Sequence, residues 1–363
     1  MMDLVEILKQ AVVARASDIH LVIGKPPMMR LNGEIQLVAP QNEVLTAESA
    51  KHMIYSILFE DQRARFEENW ELDCSFAIKG LCRFRVNVLM QKNGVESVMR
   101  VINAQIPSAE QVKLTPQMIA LADLPRGLVL VTGPTGSGKS TTLACIIEQI
   151  NQTHAHHILT IEDPIEFTYD SKKSIIRQRE VGQNTKSFAA ALRAALRQDP
   201  DVILVGEMRD LETIQLAITA AETGHLCFGT LHTQSAPSTI DRIIDVFPPH
   251  QQAQIRVQLA SGLQAVIAQI LLPKKGGKGR VAARELMTMT PAISNLIREG
   301  KTHMIYNAIE TGVKFGMMPM DRSLAELVNT GVADLDVALT KAHNPDALQA
   351  LCRGGGAKVA RTM

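Results

Sequence analysis

No stretch of this 363-residue chain stays apolar for the ~18–20 residues that a bilayer-spanning helix needs. Cysteine is scarce: Cys74, Cys82, Cys145, Cys227 and Cys352 are scattered, and no two form a Cys-x-x-Cys pair. An odd, dispersed set reads as buried thiols in a reducing compartment and offers no ligand group for zinc. Charge bias is missing too: 38 Lys and Arg stand against 37 Asp and Glu, a net charge of +1. Nothing in that balance asks for nucleic acid or an anionic membrane surface. The amino-terminal Met1-Met-Asp-Leu-Val-Glu6 lacks the basic region and cleavage site of a secretory signal. No internal repeat is present. These absences point to a cytoplasmic protein, brought to any membrane by a partner. What is there is ordinary for a globular chain: 46% hydrophobic and 21% charged residues, with a length that suggests about two domains.

The patterning changes along the chain. Leu4, Val5, Leu8, Val12 and Val13 share one side of an expected helix over 3–16. Ser17–Val22 alternates like a strand, Gly24–Pro27 makes a turn, and 28–31 and 34–38 flank Asn32-Gly33, a strong hairpin signal. Residues 46–70 read as helical, and 72–78, 82–90 and 95–101 as strands. This is an α+β module of ordinary domain size, residues 1–103. Residues 104–125, with Pro107, Pro116 and Pro125, read as a linker. From Gly127 onward strands alternate with helices, which predicts an α/β layer with a parallel sheet covered on both faces. The strand candidates are 127–132, 157–162, 174–178, 202–206 and 226–231, and the chain after 280 is expected to turn helical to about 344. Residues 345–363, with Gly354-Gly-Gly356 and little to bury, read as a disordered tail.

Residues 133–140 read Gly133-Pro134-Thr135-Gly136-Ser137-Gly138-Lys139-Ser140, a complete phosphate-loop match. Glycines let backbone N–H groups turn inward and approach an anion, the lysine reaches the β- and γ-phosphates, and the serine hydroxyl sits on Mg²⁺. The context agrees. An apolar strand, 127–132, precedes the loop, and a helix opening at Thr141 with Leu143, Ile146, Ile147 and Ile150 follows, its positive end toward the phosphates.

Two further strands end in acid. His157–Glu162 runs into Glu162, Asp163 and Glu166, and Asp199–Gly206 into Glu207. Ligands of open α/β sheets lie outside the carboxyl ends of the strands. Carboxylates placed there hold Mg²⁺ through water or ready an attacking water. The strand Leu226–Leu231 ends in His232 and begins after His225; a histidine in such a place donates to a phosphate or is bonded within the fold. His154, His156 and His157 straddle a turn and read as loop residues rather than metal ligands. Arg83, Arg85 and Asn87 share one strand face and Phe84, Val86 and Val88 the other. The polar face is either plain solvated surface or an arginine pair offered to a phosphate, with Arg100 a third candidate.

Together these blocks resemble the PilT family of secretion and type IV pilus ATPases, over about residues 1–340. The likeness rests on Ser17-Asp-Ile-His20, Arg83-Phe-Arg85, the phosphate loop, Ile161-Glu-Asp-Pro-Ile-Glu166, Gly206-Glu-Met-Arg-Asp210, and Thr223-Gly-His225 through Thr230-Leu-His-Thr233. It implies a PAS-like α+β domain followed by a RecA-like ATPase domain with a helical C-terminal part. It implies ATP and Mg²⁺ as cofactors, a homohexameric ring, and pilus retraction as the work done. The partner implied is an inner-membrane platform protein of the pilus, with a paralogous motor ATPase as a further one. By the same resemblance Glu207 readies water and Glu166 belongs with Mg²⁺ alongside Ser140. His232 senses the γ-phosphate, Gly133 to Thr141 and His225 contact the nucleotide, and Arg83, Arg85 and Arg100 complete its site. One position departs. Ala292-Ile-Ser-Asn-Leu-Ile-Arg-Glu299 has Ser294 where retraction motors carry arginine. That change bears on coupling to retraction and leaves hydrolysis intact; the alternative it raises is an accessory pilus motor or a related secretion ATPase. A DNA-translocating RecA-like ATPase is disfavoured by the near-neutral charge.

Overall fold

Alternating burial builds the first part of the molecule and unbroken burial the second. The computed structural model describes residues 3–31, 33–39, 43–78, 81–102, 106–277 and 279–354. The chain separates into two units, residues 1–105 and 106–363.

The first unit runs α1 (Leu4–Val13), β1 (Asp18–Leu21), β2 (Met28–Leu31), β3 (Glu34–Leu37), α2 (Ala47–Tyr55), α3 (Glu60–Asn69), β4 (Glu71–Ile78), β5 (Cys82–Gln91) and β6 (Gly94–Ile102). Its six strands form one sheet in the order β3-β2-β1-β6-β5-β4. Asp3 caps α1 by accepting from the Val5 N–H, and Thr46 and Ser49 cap α2 reciprocally, which satisfies donors that a helix start leaves orphaned. On β5, Phe84, Val86 and Val88 are buried while Arg83, Arg85 and Asn87 point to the other face. The helix expected over 46–70 is two helices, interrupted between Tyr55 and Glu60. Phe59 stands before the second with its backbone N–H bonded to Gln62, a new helix start that apolar periodicity does not reveal. Asn32 of the expected hairpin turn lies outside the described residues.

The second unit contains α4 (Pro116–Ile119), β7 (Gly127–Thr132), α5 (Lys139–Thr153), β8 (His157–Glu162), β9 (Ile175–Glu180), α6 (Phe188–Ala195), β10 (Val202–Val205), α7 (Leu211–Glu222), β11 (Leu226–Leu231), α8 (Ala236–Asp245) and α9 (Pro249–Gly262). Then come β12 (Leu263–Pro273), β13 (Arg280–Thr288), α10 (Pro291–Arg298), α11 (Ile305–Thr311), α12 (Met320–Asn329), α13 (Leu335–Leu339) and α14 (Pro345–Gly354). The sheet order is β13-β12-β7-β11-β10-β8-β9, and every pairing but β12–β13 is parallel. Every residue of β7, β10 and β11 is buried, as central parallel strands between two helix layers must be.

Two expectations need correcting. The chain after 280 does not turn helical at once, because Arg280–Thr288 is a strand paired antiparallel to β12. The long strand β12 itself was not among the candidates; α9 runs into it with no break, since Gly262 is the helix's last residue and Leu263 is already extended. The tail reading also fails over its first half. Residues 345–354 form α14, with Leu348 fully buried against a cluster that includes Leu324 and Leu327 of α12. Residues 355–363 lie outside the described part. Among the described residues no helix is long and apolar enough to cross a membrane.

Candidate active site

The sheet order places four strand ends side by side. β7, β11, β10 and β8 are consecutive and parallel, so the segments that follow them emerge at one edge of the sheet. These segments are the phosphate loop, His232, Glu207 and the acidic stretch Glu162–Glu166. The arrangement follows the rule that open α/β sheets bind ligands beyond the carboxyl ends of their strands.

The loop itself is shaped by glycine. Gly133, Gly136 and Gly138 have φ of +143°, +77° and +87°. At Gly133 a Cβ would stand 2.2 Å from the Gln269 carbonyl oxygen and 2.6 Å from Ser137 Oγ, so only glycine fits. Pro134, Thr135 and Gly136 are exposed, while Ser140 and Thr141 are half-buried on the first turn of α5. Lys139 opens that helix, and its Nζ donates to the carbonyls of Gly133 at 2.8 Å and Pro134 at 3.2 Å. Burial lowers the Lys139 pKa, and the negative charges of Glu207 and Glu166 oppose that shift. Lys139, Glu166 and Glu207 are therefore brought together.

Glu207 follows β10 on a backbone pinned from both sides. The Gly206 N–H donates to Ile161 O at 2.7 Å, Thr230 Oγ1 donates to Gly206 O at 2.5 Å, and the Met208 N–H donates to Thr230 O at 3.0 Å. Its carboxylate accepts from Arg209 and from His232 Nε2, the latter at 2.5 Å. Burial alone would raise the Glu207 pKa; the hydrogen bonds from Arg209 and His232 outweigh it and hold the group below the ordinary carboxylate value. Glu207 and His232 thus form one unit across β10 and β11.

Glu162 plays a different part. It is buried, accepts from Thr160 Oγ1 at 2.6 Å and Gln178 Nε2 at 3.2 Å, and burial pushes its pKa to about 7. The Glu166 backbone N–H also bonds to it. Glu162 therefore anchors the turn that carries the exposed Glu166.

Not every candidate comes to this edge. His225 precedes β11, at the amino end of a strand paired in register with β7 from Gly127 to Thr132. Its Nδ1 lies 3.0 Å from Ala220 O at the end of α7. It is thus about 20 Å along the strand from the loop edge, and this chain does not bring it to the phosphate loop. Arg83, Arg85 and Arg100 belong to the first unit. Arg85 and Arg100 are directly paired across β5 and β6, Arg83 Nη2 donates to Ser75 Oγ at 2.5 Å, and Arg100 Nε donates to Asp18 Oδ1 at 2.8 Å. His154 and His156 stack in the loop after α5, near Asp123 and Asp201 respectively. Ser294 is buried on α10; its Oγ donates to Ala260 O at 2.9 Å and accepts from Arg298 Nη2 at 2.6 Å.

Sequence reasoning missed the layer beneath the loop. Gln269 on β12 donates to Ser137 O at 2.6 Å and accepts from Thr142 Oγ1 at 2.8 Å. A cavity of about 180 Å³ opens beside the loop, walled by Val112, Leu271, Val281 and Ala282 with Lys113, Lys274 and Arg280 among its polar groups. The available signal was Gln269 itself, a lone polar residue in the apolar run 265–272. Among the described residues no group of three or more His, Cys, Asp or Glu could hold a metal on its own. The hydroxyl of Ser140 and the carboxylate of Glu166 are hard oxygen donors, which suits Mg²⁺ shared with phosphate oxygens rather than caged by protein.

Residues 1–324 match the model of the type II/IV secretion system protein family. The chain is 51% identical over 345 residues to the type IV pilus retraction ATPase PilT of Pseudomonas aeruginosa, covering 95% of this chain and 99% of that protein. It is 49% identical over 323 residues to a twitching motility protein of Neisseria gonorrhoeae, covering 89% and 86%. A crystal structure of the pilus retraction motor PilT with bound ADP superposes with a TM-score of 0.91 at 47% identity, covering 96% of this chain and all of that one.

Proposed function

This chain belongs to the PilT family of type IV pilus retraction ATPases within the type II/IV secretion system proteins, and we propose how its residues divide the work. It is an ATPase that powers pilus retraction and twitching motility. One observation carries the assignment of roles: the carboxyl ends of four adjacent parallel strands gather Lys139, Glu166, Glu207 and His232 around one phosphate loop.

The N–H groups of residues 135–141, at the loop and the start of α5, hold the phosphates, and Lys139 exchanges the loop carbonyls for phosphate oxygens. The nucleoside end lies in the adjacent cavity between Val112, Leu271 and Val281, an apolar slot with cations at its rim. Ser140, with Glu166 through water, would hold Mg²⁺, which neutralises phosphate charge when bound. Phosphoryl transfer to water needs little covalent help, so positioning and electrostatics dominate. A carboxylate held below its ordinary pKa is a weak base but a steady acceptor. Glu207 therefore orients the attacking water more than it deprotonates it. His232, bonded to Glu207, reports the γ-phosphate to β11.

The assembled protein is a homohexamer in the cytoplasm, engaged on an inner-membrane platform protein, with Arg83, Arg85 and Arg100 offered to phosphate. Loss of the γ-phosphate then removes contacts that favour a closed state, which is how hydrolysis biases a conformational equilibrium. The first test is steady-state phosphate release by the purified protein against Glu207→Gln. A drop of about 10²–10⁴-fold is expected, and equal rates refute the role of Glu207. In cells, deletion of the gene should leave fluorescent pili that extend but never shorten; absent pili would point to assembly instead.

A further inference from the structure

Arg284 is the most deeply buried cation next to the phosphate loop that the mechanism above leaves without work. It lies on β13 directly opposite Gln269 of β12, and only 6% of it is exposed. Among the described residues no carboxylate stands within ion-pair reach of it. Its guanidinium is held by dipoles. Nη1 donates to Val112 O at 2.9 Å and Lys113 O at 3.3 Å, Nε to Gln269 Oε1 at 3.3 Å, and Nη2 approaches Thr142 Oγ1 at 3.4 Å. Burial lowers its pKa to about 10, which still leaves it charged at neutral pH. A buried cation is tolerated only when its donors are satisfied, and here the three donor groups divide between two sets of partners. One holds the backbone of residues 112–113, in the segment through which the chain enters the second unit. The others hold Gln269 and Thr142, and Gln269 in turn holds the Ser137 carbonyl of the phosphate loop at 2.6 Å.

We propose that Arg284 is a positioning residue that links the phosphate loop, through Gln269 and Thr142, to residues 112–113, so that nucleotide at the loop is felt by the segment that begins the second unit. The planar fork is what makes this feasible. Its donors diverge at fixed angles, so a shift of Ser137 that displaces Gln269 must tilt the guanidinium against the two carbonyls. A lysine carries the charge but presents it at a single nitrogen and cannot span both sides. The linkage rests on the reading that phosphate binds the loop, and it extends that reading to residues 112–113, which also wall the cavity given above to the nucleoside.

The test uses the full-length protein with magnesium pyrophosphate as the probe, which fills the loop and leaves the nucleoside cavity empty, and follows amide hydrogen exchange at residues 108–114 and 137–142. In the wild type pyrophosphate should slow exchange in both segments. In Arg284→Met and Arg284→Lys it should slow exchange at 137–142 only. The KM for ATP should rise about tenfold, the order expected for one lost charge-assisted bond, while kcat stays within about twofold. Gln269→Met cuts the same linkage at its other end and should reproduce the uncoupling should the Arg284 variants misfold. A wild type that binds pyrophosphate without any response at 108–114 overturns the proposal. So does a folded variant that keeps the wild-type response, or one whose exchange at 108–114 rises equally with and without pyrophosphate, since that marks a purely structural role. A wild type that fails to bind pyrophosphate would instead overturn the phosphate-loop reading beneath it.

Discussion

Two glycines of the same loop should answer alanine very differently. In Gly133→Ala the new methyl would meet the Gln269 carbonyl at 2.2 Å and Ser137 Oγ at 2.6 Å, at a φ of +143°. The first contact is roughly 1 Å too close for a carbon against an oxygen in a packed interior, and the oxygen belongs to the β12 backbone, which cannot swing aside. Crowding of this kind costs about 1–3 kcal/mol, and forcing an L-residue into positive φ adds roughly 1–2 kcal/mol. In Gly136→Ala the φ is +77° and nothing lies within 4 Å of the methyl, so only the conformational cost of about 1–2 kcal/mol remains. The loop is local, so the strain distorts it before it unfolds the domain. Converted at about 1.4 kcal/mol per tenfold, Mg·ADP affinity should fall by roughly thirty-fold to several-thousand-fold for Gly133→Ala and about five- to thirty-fold for Gly136→Ala. Titration calorimetry on the full-length proteins measures both, with melting temperatures confirming that each is folded. Equal losses for the two, or Gly133→Ala binding like the wild type, would refute the reasoning.

Two further outcomes are open to direct measurement. Removing the His232 donor, 2.5 Å from Glu207, should let the Glu207 pKa climb back toward its ordinary value. A depressed carboxylate keeps its charge to lower pH, so the acid limb of kcat should move upward in pH for His232→Ala, and an unmoved limb counts against the pairing. Glu285, whose carboxylate accepts from the Ala236 N–H at 2.7 Å, is pushed by burial from 4.5 to about 7. The folded chain then keeps a proton that the unfolded chain has already released, so the stability Glu285 contributes is present at low pH and lost as pH rises from about 4.5 through about 7, by up to about 3 kcal/mol. Glu285→Gln keeps a carbonyl acceptor and removes the charge, so the fall in unfolding free energy between pH 5 and pH 8 should be shallower than in the wild type; parallel slopes would contradict this.

The chemistry at the sheet edge was legible because it depends on local order. A phosphate loop is contiguous, and its glycines have local reasons. Glu207 and His232 each follow an apolar run directly, so placing the runs as parallel strands places the side chains. His225 misled for the same cause: it belongs to the same short block as His232, yet the six residues of β11 between them carry it to the opposite edge of the sheet. The two helices within 46–70 escaped because the break at Phe59 is a capping event, made by one backbone N–H reaching Gln62, and leaves the apolar spacing nearly undisturbed.

What escaped entirely sits under the loop, and its concealment is physical. Gln269 and Arg284 face each other on strands that contact the loop from below, more than a hundred residues from Ser137 in sequence. Nothing local marks them, since a strand tolerates a polar residue only if the third dimension supplies its partners. Yet the intolerance is itself a signal. A glutamine inside the apolar run 265–272, followed by an arginine inside 280–288, states that two buried polar groups await partners of matching reach. The partners turn out to be the carbonyl of Ser137, the hydroxyl of Thr142 and the carbonyls of Val112 and Lys113. The glycine at 133 and the glutamine at 269 then become one requirement seen from two sides: the loop can pass so close to β12 only because one strand residue offers it a hydrogen bond and the facing loop residue offers no side chain.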